Sequence, residues 1–330
     1  MQYRRLGQSG PEISAVSFGA WQIGDAEYWG SNADSDARAT IDQAIESGIN
    51  FFDTAELYGD GESERALGKL LGGRRKDVYV ASKVWPDNCK AVGDIRKACE
   101  ASLDRLGMDY VDLYQMHWPV RHLPIGEVCA EMDQLIEDGL ARYIGVSNFG
   151  PIDLADWTGS CVSNQIGYNL AFRAPEEAIV TACMDRGVGV LAYMPLLQGL
   201  LSGRWTSAED VPALRRRTRH FSSDREGAVH GEPGCETLFF ETLAKLQAIA
   251  DDAGRTLASL SLSWLVAQSG VTSIIVGGHK PSQLERNLDG LDFDLPPDLR
   301  DALTAATAPL KTALGPNCDM WRAGEEARIR

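Results

Sequence analysis

The sequence predicts an α/β fold: a (β/α)8 TIM barrel spanning residues 1–330 as a single domain, with an N-terminal β-hairpin and a long loop between barrel strands 7 and 8. Three observations predict it. Short apolar runs alternate with longer amphipathic stretches, the pattern of parallel βαβ units. The apolar runs are nearly continuous, as in sheets covered on both faces. Eight of them fit into 330 residues, and no GxGxxG follows the first, which argues against an open dinucleotide-binding sheet.

The opening YRRLGQSGPEIS (3–14) reads as a hairpin turning at Ser9-Gly10-Pro11, suited to plug the barrel bottom. Strands are expected at 15–20, 50–54, 78–84, 112–118, 143–148, 162–167, 188–196 and 272–278. The helix at 36–48 sets Ala37, Ile41, Ala44 and Ile45 on one face, with Gly48 as its C-cap. Those at 94–107 and 125–139 also end at a glycine. From Gly199 to about Gly234 the chain has no apolar period and contains RRRTRHF (215–221) and REGAVHGEPG (225–234). Long irregular connections of this kind are lids or disordered segments. No linker or repeat interrupts the pattern.

A net charge of −15 and a pI near 4.8 argue against nucleic acid and anionic membrane surfaces as partners. Any anionic ligand must then be held by local donors. The seven cysteines are scattered singly without a CxxC pair, as expected of reduced thiols. The N-terminus lacks an apolar signal core, and no apolar run reaches the ~18 residues of a membrane span. A cytoplasmic protein, monomeric or a small homo-oligomer, is the expectation.

The strand ends carry the chemistry in this fold, and here they are polar: Asp53, Lys83, His117, Ser147-Asn148, Asn164-Gln165 and Tyr193. Each alone has a bland explanation as cap, turn former or packing residue. Six converging on one mouth do not, because their desolvation penalties would add without return. A buried Lys83 and Asp53 can neutralise each other across adjacent strands. A phenol beside that ammonium, Tyr58, would have its pKa lowered from about 10 and could exchange a proton with a carbonyl oxygen that His117 orients. The five histidines share no metal-ligand spacing, and no activated serine or cysteine is apparent, so the missing reagent points to a cofactor. Its anchor is IIVGGHKPSQLERNL (274–288), where a Gly-Gly turn with His279 and Lys280 leads into a helix near Ser282, an anion site. The glycine-punctuated MPLLQGLLSG (194–203) faces it.

These stretches, together with GINFFDTAELYGDGESERALGKLL (48–71), VASKVW (80–85), DLYQMHWP (112–119), IGVSNF (144–149) and NQIGYN (164–169), resemble the aldo-keto reductases over essentially the whole chain. The resemblance implies a catalytic tetrad of Asp53, Tyr58, Lys83 and His117, with Tyr58 as general acid/base. It implies NADP(H), or alternatively NAD(H), bound by Trp21, Asp53, Ser147, Asn148, Gln165 and Tyr193 near the nicotinamide. Pro195, Leu196, Gln198, Gly199, Leu201 and Ser202 would flank the pyrophosphate. Gly277, Gly278, His279, Lys280, Gln283 and Asn287 would surround the 2′-phosphate and adenine. Gln283 stands where many relatives have arginine, and Arg286 where an acid often contacts adenine. Trp21, Trp29, Trp85 and Trp118, with Tyr28, are the expected pocket walls. Such an aromatic, uncharged mouth suits a sugar face or a flat hydrophobic carbonyl, and GPNCDMW (315–321) reaches toward it. The implied activity is reduction of aldehydes and ketones, or oxidation of alcohols and sugars. The alternative is an NADP(H)-binding, channel-β-like regulatory subunit with little turnover. A metal-assisted barrel hydrolase is a third reading and lacks a ligand cluster.

Overall fold

The computed structural model of the chain describes residues 1–30 and 34–330. The hairpin strands β1 (Tyr3–Arg5) and β2 (Glu12–Ser14) pair antiparallel. Their turn is closed by Leu6 N–H to Pro11 O at 2.9 Å and Gly10 N–H to Leu6 O at 3.0 Å. A Cβ on Gly10 would lie 2.2 Å from Leu6 O, so this turn requires glycine. Eight parallel strands follow: β3 (Val16–Gly19), β4 (Phe51–Asp53), β5 (Tyr79–Val84), β6 (Val111–Met116), β7 (Ala141–Ser147), β8 (Ser163–Gly167), β9 (Gly189–Tyr193) and β10 (Val271–Gly277). They pair in chain order, and β10 closes the barrel against β3.

Strand alternation sorts the side chains. Phe51, Ala81, Leu113, Leu191 and Ile275 point inward and form one buried cluster with Leu6 and Ile13 of the hairpin. The hairpin is therefore the floor of the barrel, pinned by Gln8 N–H to Gly187 O at 2.8 Å. Two residues further along the same inward rows come Asp53, Lys83 and Gln115. The alternating residues Phe52, Val80 and Tyr114 face outward into the larger core beneath the helices.

The helices are the short turns α1 (Trp21–Gly24) and α2 (Ala26–Trp29), then α3 (Asp34–Glu46), α4 (Glu62–Leu71), α5 (Asp94–Leu106), α6 (Ile125–Glu137), α7 (Pro151–Asp156) and α8 (Ile179–Asp185). After the long connection come α9 (Glu236–Asp252), α10 (Leu257–Val266), α11 (Pro281–Asp289) and α12 (Pro297–Leu314). The α5 stop occurs as expected at Gly107, which is left-handed at φ 63°. Among the described residues no helix is long and apolar enough to cross a membrane.

Two expectations change. β9 ends at Tyr193 rather than 196, because Met194 turns left-handed at φ 54°. The 199–234 connection is folded rather than disordered: Thr218, Arg219, His220 and Phe221 are buried. Arg219 binds Glu232 at 2.7 Å and the Leu314 carbonyl at 2.6 Å, and Arg225 binds Glu236 at 2.6 Å. Guanidinium bonds, rather than an apolar stripe, hold this segment, so it shows no period.

Because Leu6 is fully buried in the floor, Leu6→Ala should cost about 3 kcal/mol of stability in chemical denaturation, with cofactor affinity unchanged. A loss under ~1 kcal/mol would remove the hairpin from the core.

Candidate active site

At the upper end of the inward rows, Lys83 Nζ lies 2.7 Å from Asp53 Oδ2, with both residues buried. Each charge leaving water costs several kcal/mol unless its bonding is complete. Here Lys83 also donates to Thr54 O at 2.8 Å, while Asp53 Oδ1 accepts from Gln165 Nε2 at 2.8 Å and Gln115 Nε2 at 3.5 Å.

After Thr54 the chain leaves the sheet and curls. Gly59, Asp60 and Gly61 are all left-handed, and a Cβ on Gly59 would meet Gly24 O at 2.2 Å. The Glu56 carboxylate accepts from Trp85 N–H at 2.7 Å and Asn88 Nδ2 at 2.9 Å, fastening the loop to the end of β5. The curl carries the Tyr58 ring back over the mouth, its centroid 5.0 Å from Lys83 Nζ and 5.8 Å from the His117 ring, which meets it edge-on.

Burial, then the Lys83 charge, holds His117 well below its ordinary value of 6.5, so its imidazole is neutral. Burial also lowers Lys83, against the opposing pull of Asp53. Tyr58 departs from expectation: burial first, and the Asp53 carboxylate second, raise it well above 10. The ammonium is matched by its own carboxylate, so little positive charge is left to favour phenolate. The site therefore offers a protonated phenol and a neutral imidazole together, two donors suited to one carbonyl oxygen.

Beyond them Asn148, left-handed at φ 62°, gathers the neighbouring strand ends. Its Nδ2 donates to His117 O at 3.1 Å and Ser147 Oγ at 3.0 Å, and its Oδ1 accepts from Tyr193 Oη at 2.7 Å. Non-glycine left-handed residues mark strain held for function. Among the described residues these are Asp60, Asn148, Met194, Leu197 and Gln198, all around this mouth.

One cavity of about 1830 Å³ runs from the mouth across the barrel top. It is lined by Trp21, Asp53, Tyr58, His117, Ser147, Asn148, Gln165 and Tyr193, then by Pro195, Leu196, Gln198, Gly199 and Ser202. Its far end is Gly277, His279, Lys280, Gln283, Arg286 and Asn287 at the start of α11, where Gln283 Oε1 accepts from His279 N–H at 3.1 Å. Lys83 lies behind the wall. Leu201 and Gly278, expected beside the cofactor, also lie off it; Leu201 is fully buried in the core.

The long connection adds residues that the sequence pattern did not single out. Arg204, Trp205, Arg215 and Arg217 all line the cavity. Arg215 donates to Gln198 O at 3.1 Å and lies over the Trp29 and Trp205 rings. Tyr28, off the cavity wall, donates to Leu214 O at 3.0 Å and accepts from Gln198 Nε2 at 2.8 Å, bridging the two sides. Among the described residues Arg204, Arg215, Arg217 and Lys280 have no carboxylate partner, and all four line the cavity. Unpaired cations, left-handed backbone and a helix start fit an elongated, phosphate-bearing ligand. The RRRTRH run was the available signal.

On the opposite side Trp21 stacks on Tyr58 (5.2 Å) and on Tyr28 (4.8 Å), and meets Trp29 edge-on at 5.2 Å. Trp85 meets His117 edge-on at 5.2 Å. Trp29, Trp85 and Trp118 all line the cavity, as expected. The tail after α12 does reach the site, where Trp321 lies 6.3 Å from both Trp118 and Tyr193. It also brings Arg322 and Arg328 to the wall, so the mouth is not uncharged.

Residues 15–307 match the model of the aldo/keto reductase family. The chain is 31% identical to a probable voltage-gated potassium channel subunit beta of Arabidopsis thaliana, over 88% of this chain and 92% of that protein. It is 30% identical to the L-glyceraldehyde 3-phosphate reductase of Escherichia coli, over 88% of each. An aldo-keto reductase from Klebsiella pneumoniae, solved with NADPH, superposes with a TM-score of 0.71 at 27% identity, covering 92% of this chain and 95% of that one.

Removing one member of the buried ion pair strands the other. Lys83→Met should lower stability by ~3 kcal/mol, and Lys83→Met combined with Asp53→Asn should recover at least ~1 kcal/mol of it in thermal unfolding. A double variant no more stable than the single would show that the two charges are not coupled.

Proposed function

The chain belongs to the aldo/keto reductase family, and from that premise we propose that it is an NADP(H)-dependent oxidoreductase that interconverts carbonyls and alcohols. Tyr58 is its general acid/base. The observation that carries this reading is the pairing of a protonated Tyr58 phenol with a neutral His117 around the compensated Lys83–Asp53 pair.

NADP(H), when bound, supplies or accepts the hydride. Ser147, Asn148 and Gln165 would hold its carboxamide end: Gln165 spends its Nε2 on Asp53 and keeps Oε1 for the ligand. The Tyr193 ring is fixed for stacking by its bond to Asn148. Gln198, Gly199, Arg204 and Arg215 would flank the diphosphate, and Lys280 with Gln283 and Asn287 the 2′-phosphate and adenine. The NADPH-bound Klebsiella pneumoniae relative supports this cofactor.

In reduction His117 donates a hydrogen bond to the carbonyl oxygen and orients it, and Tyr58 Oη delivers the proton as negative charge grows there. Lys83 supports the phenolate left behind, a state the resting phenol resists because it is buried beside Asp53. The Trp21 stack holds the Tyr58 ring in place, and the Trp85 edge holds His117. In oxidation the same atoms run in reverse, with the phenolate accepting the alcohol proton.

A second reading, a cofactor-binding regulatory subunit with little turnover, is favoured by the names of the Arabidopsis thaliana and Oryza sativa relatives. NADPH consumption with an aldehyde panel separates the two, and none with any aldehyde would favour the regulatory role.

Tyr58→Phe should reduce kcat by at least ~1,000-fold while NADPH still quenches tryptophan fluorescence as in the parent; retained kcat would refute the acid/base role. Lys280→Ala should weaken NADPH at least ~fivefold and leave NADH binding nearly unchanged, measured by the same quenching. Equal losses for both would take Lys280 out of the phosphate site.

A further inference from the structure

We infer that the substrate carries a carboxylate, received at the tail side of the mouth by the guanidinium groups of Arg328 and Arg322. This inference rests on the carbonyl-reductase reading above and names the substrate class of that site.

Two aromatic walls flank the position between Tyr58 and His117. One is the Tyr58–Trp21 pair, with Tyr28 stacked behind it off the cavity wall, the other the Trp118–Trp321 pair, next in sequence to His117. Each wall is capped by an arginine: Arg217 lies 5.6 Å over the Tyr28 ring, and Arg328 lies 3.6 Å over the Trp118 ring. Aromatic faces of this kind accept an apolar substrate body, and the guanidinium caps select what its far end must be.

Arg328 is held for this task. Its Nε and Nη2 bind the two oxygens of Asp319 at 2.7 and 2.9 Å. Its Nη1 has no recorded partner among the described residues, and the residue lines the cavity. Asp319 is fully buried and also accepts the backbone N–H groups of Trp321, Arg322 and Arg328. One carboxylate serving five donors orients the guanidinium and leaves its Nη1 for a ligand. Arg322, two residues from Met320, lines the same cavity and pairs only with Glu326, at 3.2 Å on the surface. A surface pair of this kind is weak and exchanges readily for an incoming carboxylate.

The acid on the opposite wall does not repel such a ligand strongly. Asp25 is engaged by Trp21 Nε1 at 2.8 Å and by Tyr28 N–H at 3.0 Å. Arg217, Arg322 and Arg328 thus border one substrate mouth in a chain with 47 acidic and 32 basic residues. A planar fork stacked on an indole matches the two oxygens of a carboxylate.

The test compares benzaldehyde with meta- and para-carboxybenzaldehyde, and glyceraldehyde with its 3-phosphate, using the full chain and NADPH. A carboxybenzaldehyde should exceed benzaldehyde by about tenfold in kcat/KM, mostly through KM, and the advantage should shrink as salt rises. Arg322→Met, which leaves the Asp319 clamp intact, should remove about fivefold of that advantage and leave benzaldehyde within about twofold of the parent. Arg328→Lys should also weaken carboxylated substrates selectively, since it keeps the charge and loses the fork. Equal use of neutral and carboxylated aldehydes, or variants that shift both alike, would overturn the inference. An advantage confined to glyceraldehyde 3-phosphate would overturn the carboxylate in favour of phosphate. Fluorescence titration of the NADP-saturated protein with benzoate and benzamide separates the two levels. If no aldehyde is reduced, the reductase reading fails, while selective benzoate binding lost in Arg322→Met still supports the subsite and its absence refutes it.

Discussion

Everything at the barrel mouth is arranged around one contact, the ammonium of Lys83 against the carboxylate of Asp53, with neither residue open to solvent. Two charges taken out of water demand complete bonding, and that demand propagates outward. It turns the Thr54 carbonyl inward, takes the Gln165 amide from β8 and draws Gln115 from β6. Three strands are thereby tied to β4 at the level where the chemistry takes place. The loop after Thr54 then has little freedom, and Glu56 removes more of it by gripping the end of β5. The phenol arrives over the pair as a consequence of how the pair is satisfied.

Near-neutrality of that pair governs the acidity of its neighbours. A lone ammonium would favour phenolate. A matched one leaves burial in control, so Tyr58 rises and His117 falls. Both groups thus rest in uncharged, hydrogen-donating forms at neutral pH, which suits delivery of a proton to a carbonyl more than its removal from an alcohol. Desolvation thus sets the resting protonation of both groups.

Much of this was legible in the chain itself. Alternating apolar and polar positions revealed the strands, and polar residues at their ends, Asp53, Lys83, His117 and Gln165, revealed the mouth, because a period of two leaves few ways to orient them. What could not be read depends on tertiary closure. Arg204, Arg215 and Arg217 sit in a segment without period, and only its folding against Tyr28, Trp29 and Gln198 brings them to the cavity. Arg328 reaches Trp118 across more than two hundred residues of chain, which no local pattern encodes. That the Leu201 side chain turns to the core was not legible, because a glycine-punctuated loop shows which backbone can bend but not which side chain points inward. The sign of the Tyr58 shift failed for a similar reason: adjacency to Lys83 was visible, whereas the degree of compensation by Asp53 was not.

The tail hangs from two anchors. Asp319 gathers five donors, and Arg219 binds the carbonyls of Leu314 and Asn317. None of these contacts involves the Lys83–Asp53 pair or its strand-end partners. The tail side of the cavity and the buried charge pair at the strand ends are therefore separable parts of one chain. Substitutions in the tail can reshape one side of the cavity while the buried charge pair at the strand ends keeps every bond it makes.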